Sequence, residues 1–453
     1  MTKAIGQLKM KENQAPASNL KSGNVSNFKM KITNVCTKIS KNQQTIRSVM
    51  ALLSSNIASS VITAIGGLLV ARFLGPEVTG PFRAFTIPLT YLMFLGLGIN
   101  DGLWRQIPYY VGKEMPNRVD ALASTAGAFM LFMSVVVSFG FVCCAIYSLF
   151  LHDLYSVLGW LSQAFFCWEV FYGSYLTSTY RTLHHFVTMA RIQVVQTMLT
   201  FAMVFLLPFL SFYGLCARVA LPSLLALWLY QRNRPLKVTY RFNSKDMREL
   251  LKIGVPFGFW GSLETSAWIA TESTLVLSLG GVTALGLFSV AYALRGAINS
   301  LPKAVWQVLL PRVVTTFARD GSVRNANRRI IWVTIGITGF MILLACAGSF
   351  LLDIFVPYLI PKYVDGIPVM RVILWFPVVQ AVCLPTNTLF AAGEHWLYGK
   401  AVIAGIVVFL VATYLLYPII GGVLSVATGS LLGRIAMTIA AYLGLATLTR
   451  RET

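Results

Sequence analysis

From about Val49 to about Leu448, apolar windows some twenty residues long follow one another with only short polar interruptions. A helix of that length rises about 1.5 Å per residue and crosses roughly 30 Å of hydrocarbon. Backbone inside lipid must satisfy its own hydrogen bonds, which leaves helices or a closed barrel, and the alternation of barrel strands is absent. The pattern predicts twelve spanning helices, at 48–71, 82–104, 121–150, 154–180, 186–211, 213–231, 250–272, 283–310, 329–352, 367–391, 398–418 and 421–448. The fold class is thus an all-α polytopic membrane protein.

The polar remainder divides the chain. Residues 1–47 are rich in Lys, Asn and Ser and lack the apolar core of a signal peptide, so they read as a disordered basic cytoplasmic tail. A basic linker at 232–249 separates a lobe at 48–231 from a lobe at 250–448, and 449–453 form a second short tail. Six helices per lobe give both lobes the same orientation, so they read as parallel repeats about an axis along the membrane normal. The repeat is visible in the residues: Gly75 to Phe82 and Gly281 to Phe288 both read G-x-x-x-x-G-x-F, at an offset of 206.

Charge refines this picture. A net charge of +21 would suggest a nucleic-acid partner in a soluble protein, but 56% of residues are hydrophobic and only 12% charged, where soluble domains carry about 25%. Of the 37 lysines and arginines, 29 fall in one set of alternating segments and only Arg72 and Lys362 in the other. That is the asymmetry of short cytoplasmic loops, so both termini are expected in the cytoplasm and nucleic acid is excluded.

Several chemistries find no support. The seven cysteines show no CxxC spacing, and all but Cys36 lie in apolar windows, where they read as small buried hydrophobes. His152, His184, His185 and His395 lack ligand spacing, so no metal is assigned. There is no P-loop for ATP, no large extramembrane domain and no long outer loop for an active site. No catalytic residue and no cofactor is expected.

Charges inside the spans carry the functional signal, since each costs about 2.5–3.5 kcal/mol near the bilayer centre and tends to face a wet cavity or a partner. Glu169, Glu264, Arg295 and Arg434 fall near the middle of their spans, while Arg83, Arg218 and Arg371 lie nearer the outer surface, where snorkelling serves as well. Arg295, Asn299 and Lys303 recur every fourth residue as one polar stripe. A buried structural pair of Arg434 with Glu169 is a further reading. Pro88, Pro222, Pro256, Pro302, Pro377 and Pro385 are candidate kinks. Trp104, Trp160, Trp228, Trp306, Trp375 and Trp396 read as interfacial anchors.

Two stretches carry a family resemblance. One runs from Ala71-Arg-Phe-Leu-Gly75-Pro-Glu-Val-Thr-Gly80-Pro-Phe82 through Leu97-Gly98 to Ile107-Pro108; the other from Pro361-Lys362-Tyr363 through Val369-Met-Arg-Val-Ile373 to Asn387-Thr-Leu-Phe-Ala-Ala-Gly393. Both resemble bacterial polysaccharide-transport flippases of the multidrug/oligosaccharidyl-lipid/polysaccharide exporter superfamily, with Ile360 standing where the family carries glycine. The resemblance implies two six-helix lobes around a central cavity that opens alternately to cytoplasm and periplasm, with the first, second, seventh and eighth helices facing it. It also implies a bacterial inner-membrane location and an undecaprenyl-pyrophosphate-linked glycan as cargo for O-antigen, capsule or exopolysaccharide synthesis. Further partners would be membrane lipids, a polysaccharide polymerase and a chain-length regulator.

A pyrophosphate headgroup needs fixed cations in a low-dielectric space, Arg as a bidentate fork and Lys as a point charge. Arg83, Arg295, Asn299, Lys303 and Arg434 are therefore the candidate cavity residues, and Glu264 and Glu169 the candidates for pairing with them or for proton coupling. Two rivals stand beside this reading. A cation-coupled exporter of small amphipathic compounds would want an acidic cavity, and a polysaccharide polymerase would want a long catalytic outer loop.

Overall fold

The computed structural model describes residues 55, 56, 58–320 and 323–451; the predicted tail at 1–47 and Cys36 lie outside them. Eight helical stretches are long and apolar enough to cross a bilayer. Two of these contain a reversal. Tyr292 Oη donates to Glu272 Oε2 at 2.9 Å, and Arg218 Nε donates to the Thr200 carbonyl at 3.1 Å, although a straight helix would hold such residues about 30 Å apart. The chain turns back at Gly281 (φ 77°, ψ −176°), where only glycine is comfortable, and at Ser211 (φ 47°, ψ −120°).

With those reversals, the helix at 154–182 and the first described helix, the described residues make twelve helices. They are α1 (Ala58–Phe73), α2 (Pro76–Gly112), α3 (Pro116–Phe150), α4 (154–182), α5 (186–210), α6 (212–232), α7 (244–280), α8 (282–320), α9 (Val323–Leu359), α10 (367–391), α11 (His395–Ile420) and α12 (Gly422–Arg451). The chain is a multi-pass membrane protein, and its surface fits that solvent: Phe139, Leu343, Phe350 and Ile354 stand 68%, 68%, 78% and 68% exposed in mid-helix.

Most helices run past the predicted spans, because a helix ends at a glycine, proline or cap rather than at the edge of the hydrocarbon. The seventh matters most. It continues from the expected end at 272 to 280, which draws Glu272 eight residues into the bundle. Kinks also differ from expectation. Helix α10 breaks at Pro377 and Pro385, but Pro88, Pro222, Pro256 and Pro302 sit in continuous helix. The irregular turns fall instead at Met93–Gly96, with Leu97 and Gly98 left-handed behind it, and at two π-turns, Glu169–Gly173 and Leu263–Ala267. Cys167, Cys216 and Cys383 are buried as expected, whereas Cys143, Cys144 and Cys346 are exposed on α3 and α9, where the lipid-facing side of a helix tolerates them as well as the core does.

The lobes meet where backbone touches backbone. At the end of the bundle away from the linker, a Cβ on Gly80 of α2 would lie 2.1 Å from the Val282 carbonyl oxygen, and one on Gly286 of α8 would lie 2.1 Å from that of Pro76. These two contacts are images of each other at the 206-residue offset, so the duplicated motif places a pseudo-two-fold axis at the interlobe seam. Beside it Tyr363, fully buried, shares a hydrogen bond with Thr79 at 3.0 Å and donates to the Leu74 carbonyl at 3.3 Å. Ile360 takes φ −139°, a negative value that needs no glycine.

At the linker end, Gly98 and Gly102 of α2 pack on Leu250, Gly254 and Gly258 of α7, with backbone approaches that no Cβ would fit. Arg118 bridges to Asp246 at 2.9 Å and Glu249 at 2.6 Å, and Tyr110 donates to Glu249 at 2.8 Å. The irregular linker, 233–243, lies along the first lobe: Ser124 accepts from the Arg241 N–H at 2.7 Å, and the Tyr240 ring packs edge-on against both Tyr172 and Tyr175.

Candidate substrate cavity

The polar groups inside the spans converge. A cavity of about 570 Å³ between the lobes is lined by Arg83 of α2, Glu264 and Ser273 of α7, Arg295, Asn299 and Lys303 of α8, Gln380 of α10 and Arg434 of α12. Arg83, Thr86 and Thr90 also line a second cavity of about 430 Å³, with Glu169 of α4, Gln196 of α5 and Arg218 of α6. Six of the seven candidate residues thus share one chamber, and Glu169 lies in its neighbour. The helical stripe explains the α8 contribution, since residues four apart lie 100° × 4, or about 40°, apart around the axis. Of the four helices expected to face the cavity, α2, α7 and α8 line the first chamber, joined by α10 and α12, whereas α1 lines only the second, with α2, α8, α4, α5 and α6.

Two of the cations carry carboxylates. Arg295 Nη1 donates to both oxygens of Glu272, at 3.1 and 3.0 Å, and Glu272, fully buried, also accepts from Tyr292 and from the Ser430 hydroxyl. The Arg295 guanidinium lies over the Tyr292 and Phe376 rings, 4.6 and 4.9 Å from their centroids. Deeper along α7, Arg434 donates to Glu264 Oε1 at 3.1 Å and to the Glu264 carbonyl at 2.6 Å, and lies 4.1 Å over the Trp268 ring. Tyr398 donates to the other Glu264 oxygen. The π-turn makes this possible, because widening the helix at 263–267 frees a carbonyl to accept from Arg434.

Some expectations change here. Arg434 pairs with Glu264, not with Glu169, whose Oε1 instead accepts from Gln196 at 2.6 Å. The two lie on opposite lobes and in different chambers, which the spans alone did not reveal. Arg371 lies outside both chambers and pairs with Asp353 at 2.8 Å. Glu272, Tyr398 and Ser430 were missed altogether. Glu272 was readable as the last charged residue before the Gly280-Gly281 turn; the other two are apolar-window residues whose role depends on contacts more than a hundred positions away.

Among the described residues no cluster of His, Cys, Asp and Glu could hold a metal. The arrangement is suited to electrostatic binding. Four cations and one carboxylate line the main chamber, and buried guanidinium groups present oriented donors to phosphate or carboxylate.

Residues 45–317, more than half the chain, match the family described as polysaccharide biosynthesis protein. The chain belongs to that family. No curated protein matches this family member's sequence. Its fold is also that of solved transporters: an inward-facing multidrug resistance MATE family transporter of the MOP superfamily (TM-score 0.69, 15% identity, covering 88% of this chain and 98% of that one), and an outward-facing one (0.63, 16%, 90% and 97%). A third is a MOP superfamily transporter from Pyrococcus furiosus whose structure is described by a reversed polarity of its binding pocket (0.60, 14%, 90% and 96%). In this polysaccharide biosynthesis family member, as in those folds, two helical lobes enclose the chamber.

Proposed function

We propose that the protein is a flippase that carries an undecaprenyl-pyrophosphate-linked oligosaccharide across the bacterial inner membrane, without changing a covalent bond, for O-antigen, capsule or exopolysaccharide synthesis. The observation that carries this reading is a chamber between the lobes lined by Arg83, Arg295, Lys303 and Arg434 against the single carboxylate of Glu264. A cationic lining suits a diphosphate headgroup, and Asn299, Gln380 and Ser273 offer hydrogen bonds to sugar hydroxyls. The lobes at 48–231 and 250–448 would rock about the glycine seams, with both termini in the cytoplasm and the basic linker facing anionic lipid. A polymerase and a chain-length regulator are the proposed downstream partners.

The exporter reading keeps one observation in its favour, the multidrug transporters that share the fold. Cavity charge weighs against it, since the cations of this chamber would repel a cationic drug.

Deletion of the gene should abolish the surface glycan and accumulate its lipid-linked repeat unit on the cytoplasmic leaflet, with restoration by the wild-type chain. An intact surface glycan in the deletion strain would contradict the flippase and move the assignment to the exporter.

A further inference from the structure

Arg218 reads from sequence as a residue that snorkels to the interface. Its position says otherwise. It lines the second chamber together with Arg83 and Glu169, and among the described residues only its Nε has a hydrogen-bond partner, the Thr200 carbonyl at 3.1 Å. Neither Arg83 nor Arg218 has a carboxylate within salt-bridge distance among the described residues, whereas Arg295 and Arg434 each have one. The one carboxylate among the lining residues of that chamber is also incomplete: Glu169 Oε1 accepts from Gln196, but its buried Oε2 has no hydrogen-bond partner among the described residues.

Two uncompensated guanidinium groups opening on one membrane-depth chamber repel each other and each bears a desolvation cost. An arrangement of that kind is balanced by a ligand carrying two adjacent negative groups. Arg83 is seven residues into α2 and Arg218 six into α6, so both lie roughly 10 Å from the seam end of the bundle at 1.5 Å per residue. Arg83 also lines the first chamber, and Lys303 lies twenty-one residues into α8, about 30 Å from that end. Lys303 and the Arg83–Arg218 pair therefore stand about 20 Å apart along the bundle, with Arg83 common to both chambers.

We propose that Arg83 and Arg218 form the pyrophosphate subsite of the cavity, one guanidinium to each phosphoryl group, and that the Glu169 carboxylate in the same chamber opposes the ligand by its charge. This rests on the flippase reading and names which part of the cavity grips the headgroup. Two forks distinguish a diphosphate from a monophosphate, because a single phosphoryl group cannot fill both. Glu169 lines the same chamber without bridging either arginine, so its negative charge opposes the arriving diphosphate, lowers affinity and speeds release.

The test is lipid binding by the full chain in nanodiscs, with undecaprenyl pyrophosphate and undecaprenyl monophosphate as probes. Arg218→Gln should weaken pyrophosphate-lipid binding about ten- to a hundredfold, the range of a lost charge-assisted hydrogen bond, and monophosphate-lipid binding by less than about threefold on the same grounds. Arg218→Lys should recover part of the loss, and Glu169→Gln should tighten pyrophosphate-lipid binding. The subsite is overturned if Arg218→Gln binds the pyrophosphate lipid like wild type, if both lipids lose affinity equally alongside a lowered melting temperature, or if Glu169→Gln weakens binding. Wild-type protein that binds neither lipid overturns the flippase reading and the subsite with it.

Discussion

Replacing Arg295 by alanine is expected to destabilise the protein by about 3–5 kcal/mol, because it removes the cation with which the fully buried Glu272 is paired. Transport should fall below a tenth of wild type as well, but that loss alone would not separate cargo binding from unfolding. The double variant Arg295→Met with Glu272→Leu separates them. Removing both charges and filling the space with apolar atoms is often neutral for stability, so thermal unfolding should return to within about 1 kcal/mol of wild type on the same argument. Transport should stay low if the guanidinium is needed in the chamber. A double variant that folds and transports normally would make this pair a purely structural element of the second lobe, held there with Tyr292 and Ser430.

Gly80 and Gly286 are expected to be nearly as sensitive for a different reason. A valine at either position would drive its Cβ into a backbone carbonyl of the other lobe, Val282 or Pro76, and neither backbone can rotate away as a side chain would. Forced packing of this kind costs about 1–3 kcal/mol, which disfavours the closed seam by roughly five- to a hundred-and-fiftyfold on the same figures. Protein amount in the membrane should be near wild type, because each lobe keeps buried residues away from the two glycines, Val204, Leu207 and Leu215 in the first and Phe409, Met437 and Ala441 in the second. Transport should drop in that proportion, and a cysteine at Thr79 should react faster with a membrane-impermeant maleimide than in wild type. Unchanged transport and labelling in both Gly80→Val and Gly286→Val would show that the seam is not a gate. Because the two sites are related by the repeat, the two variants should behave alike.

The sequence made the membrane fold readable because lipid imposes length and hydropathy on every crossing, and the six-plus-six division because the linker and the G-x-x-x-x-G-x-F repeat mark it. The α8 stripe was readable for the same reason, being a matter of local helical period. What stayed hidden were the pairings. Glu272 was taken for the edge of the seventh helix because a carboxylate after an apolar run resembles a water boundary, whereas the turn lies eight residues on, at a glycine with φ 77°. Glu264 with Arg434 and Tyr398, and Glu272 with Arg295 and Ser430, join residues on different helices, and no local periodicity encodes such a choice. The duplicated glycines were visible as a repeat, but their purpose as backbone-to-backbone contacts between the lobes needed three dimensions.

The central claim, movement of an intact lipid-linked oligosaccharide, is tested most directly in reconstituted vesicles. Purified protein would be incorporated with an undecaprenyl-pyrophosphate-linked oligosaccharide, and the fraction of sugar open to membrane-impermeant periodate followed in time. The account predicts that the protected pool becomes accessible far faster than in protein-free vesicles, that untreated cargo keeps its mass, and that Arg83→Gln slows the process. Protection that persists as in protein-free vesicles, or a cargo whose mass changes, would contradict it.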